Sequence, residues 1–231
     1  MSILTSLGII VFSMLILMSL QLIPGIFALV THYAFGKYSA KKASDLALFF
    51  IIGVESAFTI TILLVYLMLT TIYSVIPNIN ILTWIICGII AALGLASFFF
   101  YYRKGDNSEL FISRSLAKNI NIKARSIKKR SDAFILGFLS PLPELIFTIP
   151  LYVAASIAIV EIGENTIARA GLVSLFVFLT IIPILFYQLF SQHYNLATYL
   201  RFRFKNKTFF RVFISIMYFI LAIFIIIGAV T

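Results

Sequence analysis

Cysteine occurs once in the 231 residues, at Cys87, which excludes an intramolecular disulfide and a Cys-x-x-Cys redox pair. Histidine occurs twice, at His32 and His193, and the eight acids are dispersed, so a zinc centre built from the usual donors is not expected. The chain holds no Gly-x-Ser-x-Gly nucleophile motif, no His-Glu-x-x-His metal motif and no glycine-rich phosphate loop. An enzyme is therefore not expected, nor a cofactor, nor an ATP-driven engine within this chain. Coupling to an ion gradient stays open. Charge is scarce too, at 11% of residues, against 62% hydrophobic and a mean hydropathy of +1.10. Soluble domains are nearer half apolar, so this composition predicts an integral membrane protein of one domain, with no room for a separate soluble module. The start lacks a basic n-region, and the first apolar run continues past signal-peptide length, so it is expected to be a retained span.

Runs of about 20 apolar residues cross a bilayer. Six such runs are expected, near residues 3–35, 46–72, 81–102, 133–160, 167–190 and 209–230. The first is longer than one straight crossing needs, which fits a break at Pro24-Gly25. The third closes on an aromatic cluster, Phe98 to Tyr102, suited to a membrane interface. Small residues recur on the third run (Gly88, Ala92, Ala96) and the fourth (Ala154, Ala158), and predict close helix packing. Polar residues at membrane depth, among them Ser56, Thr59, Ser140 and Thr148, are expected to hydrogen-bond between helices.

Seventeen of the eighteen Lys and Arg fall in three connectors: residues 37–42, 103–130 and 201–211. In a six-span chain these all lie on one side, and basic residues stay cytoplasmic. Both termini are then expected outside the cytoplasm, in a multi-pass protein of the cell (inner or plasma) membrane. The opposite side has only Arg169, beside Glu161 and Glu164. The long basic segment, 103–132, reads as a topology determinant touching anionic lipid headgroups. It lacks the interleaved aromatics and fold context of a nucleic-acid surface, so no nucleic acid is expected.

The basic segment divides the chain into two three-span repeats, 1–102 and 133–231. With an odd number of spans in each, the second half enters the membrane from the opposite side. The expected fold is thus all-α, six transmembrane helices as two inverted three-helix repeats, the first helix of each half broken at prolines. Pro24-Gly25 marks one break. Pro141 and Pro143 mark the other, with Pro150 a further break or kink in the same run. Glu55 and Glu144 are the two acids deep within apolar runs, each near the bilayer midplane. An acid at a helix centre costs about 2.5–3.5 kcal/mol on insertion scales, so something should compensate. Such a carboxyl can carry a proton when neutral or hold a cation when ionised. Broken backbone at Pro141-Pro143 would add free carbonyls. A structural carboxylic acid, hydrogen-bonded to a neighbouring helix, is the plain alternative. His32 could shuttle protons, though a packing or interfacial role is the commoner one.

These stretches resemble the LysE/RhtB-type exporter superfamily, small six-span carriers built from two three-span repeats. The matching residues are Pro24-Gly25-Ile26-Phe27, Gly36-Lys37, and Gly137-Phe138 followed by Pro143-Glu144. Ile26 and Phe27 stand where the family usually has a second proline and a polar residue, and Glu144 stands where a lysine is common. The resemblance implies export of a small solute, and acid in place of base favours a cation or a proton. The residues themselves then predict a gradient-driven exporter working by alternating access, with Glu144 the primary cation or proton site, Glu55 its partner, broken backbone at Pro24, Gly25, Pro141 and Pro143, and His32 an accessory. The expected partners are the lipid bilayer, a small solute or cation and anionic headgroups, and a homo-oligomer stays open. The competing expectation is a non-transport membrane module, a lipid-handling, insertase-like or assembly protein with a lipid-facing groove.

Overall fold

A computed structural model describes residues 2–20, 40–75, 80–100, 123, 127–142, 145–162, 165–191 and 206–230. Among them are seven helices and no strand: α1 (Ile3–Leu20), α2 (Ala40–Val75), α3 (Asn80–Phe100), α4 (Arg130–Leu139), α5 (Leu145–Ile162), α6 (Thr166–Ser191) and α7 (Lys207–Val230). Local chemistry starts several of them. Ser2 Oγ accepts the Thr5 N–H at 3.2 Å ahead of α1, and Asn165 Oδ1 accepts the Ala168 N–H at 2.8 Å ahead of α6. Asp132, in the first turn of α4, reaches back to the Lys129 N–H at 3.2 Å. Each satisfies a backbone donor that a helix start leaves open.

Among the described residues, three helices are long and apolar enough to cross a membrane, through Ser44–Ile72, Ile81–Phe99 and Thr208–Val230. Three shorter apolar helical stretches accompany them, Ile3–Ser19, Phe147–Ile162 and Ile167–Ile182. The bundle is apolar outside as well as inside: Leu64, Leu67, Met68, Phe99 and Ile223 are each more than half exposed. Contiguous apolar surface of this kind is unfavourable in water and at rest in lipid. These are the features of a helical membrane protein.

The expected break in the fourth run is present. α4 ends at Leu139, Ser140 turns back to donate N–H and Oγ–H to the Gly137 carbonyl at 3.2 and 2.7 Å, and buried Pro141 follows. The helix resumes as α5 at Leu145. At Pro150 the helix is not broken, for α5 runs on through it. Close to the helix start, it removes one bond, to the Ile146 carbonyl, and the packed helix tolerates that loss.

α5 occupies the centre. It packs against α1, α2, α3 and α6, and residues Leu151, Tyr152, Ala154, Ala155, Ser156, Ala158 and Ile159 are all almost fully buried. Its small residues let neighbouring helices approach on several sides at once, so the expectation for Ala154 and Ala158 holds. That for α3 does not: a Cβ added at Gly88 would meet nothing within 4 Å, and Ala92 is exposed.

A backbone-to-backbone helix crossing lies elsewhere, between α2 and α4. A Cβ built on Gly53 would fall into the Phe134 carbonyl oxygen and stand 2.9 Å from the Phe138 nitrogen. One built on Gly137 would fall into the Phe50 carbonyl oxygen. Backbone thus lies on backbone at paired glycines, the one arrangement a side chain forbids. Nearer the helix starts, Arg130 Nε donates to Asp45 Oδ2 at 2.6 Å, and its guanidinium lies 5.3 Å over the Phe49 ring. Residues 45–53 thus meet residues 130–138 in ascending order, and α2 and α4 run parallel. α3 and α7 run antiparallel, through Cys87 Sγ to the Ala222 carbonyl, Gly94 against Tyr218, and Phe98 beneath Arg211.

Candidate functional site: a cleft between α2 and α6

The glycine contact with α4 fixes the rotation of α2. At 100° per residue, Glu55 points about 160° away from Gly53, so it faces away from α4. The face it occupies carries Glu55, Thr59, Leu63 and Tyr66, one helical stripe. Opposite stands a stripe of α6, Ala170, Val173, Ser174 and Val177. Between them lies a cleft of about 300 Å³. Elsewhere between the same helices, the buried Tyr152 ring of α5 lies 6.4 Å from Phe58 of α2 and 6.1 Å from Phe176 of α6.

Glu55 is half-buried and has no hydrogen-bond or ion-pair partner among the described residues. Eleven residues into the helical span that starts at Ser44, it sits about 16 Å deep, near the middle of a bilayer core. Ser174 donates to the Ala170 carbonyl at 2.9 Å, which leaves its oxygen able to accept from within the cleft. The hydroxyls of Ser56 and Ser140 do not bridge helices as expected. They bond to Ile52 and Gly137, carbonyls of their own chain segments, at 2.8 and 2.7 Å. Ser and Thr in helices commonly take this local partner.

Of the site residues expected from sequence, Glu55 lies in this cleft and Pro141 at the α4–α5 break. Pro24, Gly25, His32, Pro143 and Glu144 lie outside the described residues. Tyr66 and Ser174 were not anticipated. Tyr66 was legible as a residue one helical face from Glu55, whereas Ser174 becomes a neighbour only when α6 docks. Among the described residues no group of three or more His, Cys, Asp or Glu gathers to hold a metal.

Compared with family models, curated proteins and solved structures, the chain matches none. One carboxylate, the Thr59, Tyr66 and Ser174 oxygens, a tyrosine ring and apolar walls can hold a small cation with an apolar body.

Proposed function

We propose that this protein is a secondary membrane transporter that moves a small cation by alternating access, with Glu55 as the binding carboxylate. The observation that carries the reading is an unpartnered acid at mid-span, opening on a cleft between two membrane helices. An ionisable group within a membrane is there at a cost that function commonly explains. In this reading α4 and α5 form one broken span, so that six spans cross the cell membrane as two inverted halves with both termini outside the cytoplasm. The superfamily suggested by resemblance, the LysE/RhtB-type exporters, has that plan.

The helix pairings support two related halves. An inverted repeat exchanges span one with four, two with five, and three with six. Under that exchange α1 with α7 becomes α3 with α5, and α2 with α4–α5 becomes α6 with α1; all four pairings occur. Three more, α3 with α7, α1 with α5 and α2 with α6, map onto themselves and also occur. Only α5 with α6 lacks its counterpart among the extensive contacts. The parallel run of α2 and α4 is what a six-span path requires of spans two and four. On this plan the Glu55 cleft lies between two equivalent helices, on the pseudo-two-fold axis, where carriers of this architecture bind their substrates.

The test is thermal stability of the full chain in detergent against a panel of inorganic cations, basic amino acids and organic amines, beside Glu55→Gln. A ligand of the native state raises its melting temperature with concentration. Saturating stabilisation by one cation class, lost in Glu55→Gln and matched by uptake into proteoliposomes, supports the reading. A panel without response, and a variant indistinguishable from wild type across pH, sinks it.

One observation favours a second reading, a lipid-handling module. Leu63, Ala170 and Ser174 are exposed, so the cleft opens at the side of the bundle. A lipid-handling protein would exchange a fluorescent phospholipid between vesicles, without cation dependence and without sensitivity to Glu55→Gln.

A further inference from the structure

A second cleft, of about 530 Å³, lies where α2 and α4 begin, lined by Lys41, Lys42, Ser44, Asp45, Leu48 and Arg130. Three of the six are cations and one is an acid. The Asp45 carboxylate already accepts from Arg130 Nε at 2.6 Å. That hydrogen bond first, and the acid's charge second, push the guanidinium's already high pKa further up, so Arg130 stays cationic at any pH the protein meets. Nε uses one of five N–H donors, and the other four make no hydrogen bond to described residues. Phe49 lies beneath the guanidinium plane, 5.3 Å from its carbon to the ring centroid, and restrains its swing. Lys41 and the Ser44 hydroxyl have no partner among the described residues.

The position of these groups selects the ligand. The apolar span of α2 starts at Ser44, so the cleft stands at headgroup level. One turn and two turns further in, Leu48 and Ile52 are 53% and 42% exposed on the same helix. Cations around a space roomy enough for a phospholipid headgroup, with apolar side chains leading from it into the membrane, match an amphiphile rather than a free anion. We infer that this cleft is a discrete binding site for an anionic phospholipid, its phosphate held by Lys41, Lys42 and Arg130 and its acyl chain lying along Leu48 and Ile52. A lipid seated there would clamp the parallel α2–α4 pair at the end remote from the glycine crossing. It would do so whatever Glu55 carries.

The test uses the full chain in detergent micelles doped with phosphatidylglycerol, with phosphatidylcholine, or with inorganic phosphate at equal phosphate concentration. Melting temperature is followed against each additive. A saturating rise with phosphatidylglycerol alone is expected. Lys41→Gln/Lys42→Gln should move its half-saturation by at least about tenfold, since each basic residue near the surface contributes separately. Lys128→Gln/Lys129→Gln, which removes the same charge from the adjoining connector, should leave it near wild type. Arg130→Lys keeps the charge but loses the planar fork, and should weaken the response to phosphatidylglycerol relative to its own baseline in phosphatidylcholine. Equal responses to both lipids, or equal loss in both double variants, would show diffuse surface charge and overturn the site. A response to phosphate matching that to the lipid would overturn the lipid assignment.

Discussion

Gly53→Ala tests the α2–α4 crossing at its tightest point. The added methyl would land on the Phe134 carbonyl oxygen and 2.9 Å from the Phe138 nitrogen. Both obstacles are backbone and cannot rotate away. Packed carbon atoms sit about 3.5–4.0 Å apart, so the two helices must part by on the order of 1 Å. A gap of that size forfeits about a quarter to a half of the dispersion well at each lining contact. The better helix propensity of alanine returns about 0.8–1.0 kcal/mol. The expected net loss is about 2 kcal/mol, within the usual range for overpacking. Gly88→Ala is the matched control, since its methyl would meet nothing within 4 Å; it should keep the propensity gain. Two identical substitutions in two apolar helices should then differ by about 3 kcal/mol. The assay is reversible unfolding of the full chain in mixed micelles by titration with a denaturing detergent, followed by the fluorescence of Trp84. Gly137→Ala should resemble Gly53→Ala. The double variant should lose less than the sum, because one parting of the helices accommodates both methyls. Equal stability of Gly53→Ala and Gly88→Ala, or strict additivity of the pair, would refute the backbone contact.

Three further substitutions probe other contacts by the same assay. Gly8→Ala brings its methyl against the Phe224 ring, a half-buried side chain that can swing, so the loss should stay below about 1 kcal/mol and well short of Gly53→Ala. Ser156 is fully buried on α5, and its hydroxyl has no partner among the described residues. Ser156→Ala removes an unpaired polar group and should be neutral or stabilising by up to about 1 kcal/mol; a clear loss would reveal a hydrogen bond there. Tyr218→Phe deletes the hydroxyl that donates to the Phe147 carbonyl at 3.3 Å, the link from α7 to the start of α5, and should cost about 1 kcal/mol. No loss in Tyr218→Phe would mean water replaces the tyrosine at that carbonyl.

The helices were legible wherever their cause is local. The apolar runs near 81–102, 167–190 and 209–230 correspond closely to α3, α6 and α7, because hydropathy belongs to each residue in turn. α2 begins earlier than its apolar run, at Ala40, since lysines are good helix formers and hydropathy does not register them. The stop at Leu139 was legible from Pro141, whose missing donor acts on the adjacent turn. Pro150 has the same chemistry but sits in the most buried helix, where surrounding contacts outweigh one lost bond.

Small residues were harder to read. Gly88, Ala92 and Ala96 have the spacing of a packing motif, yet Gly88 and Ala92 face outwards, whereas Gly53 and Gly137 stand alone in their helices and meet. A glycine permits close approach but does not choose what approaches. That choice depends on how α2 and α4, far apart in sequence, are brought side by side. The candidate site divides the same way. Glu55 stood out because one acid in an apolar run is conspicuous by composition alone, and Thr59 and Tyr66 follow from it by helical spacing.

Composition and its periodicity determined by themselves that this chain is helical and apolar on its surface, where several of its helices start or stop, and that an acid lies deep in one of them. Each of these depends on a residue and its near neighbours along the chain. Only the tertiary structure decided that α5 is central, that α2 and α4 touch at backbone, and that Glu55 therefore turns away from α4 towards Ser174. A helix can rotate about its axis without altering a single internal hydrogen bond, so its facing is set from outside, by the neighbours it packs against.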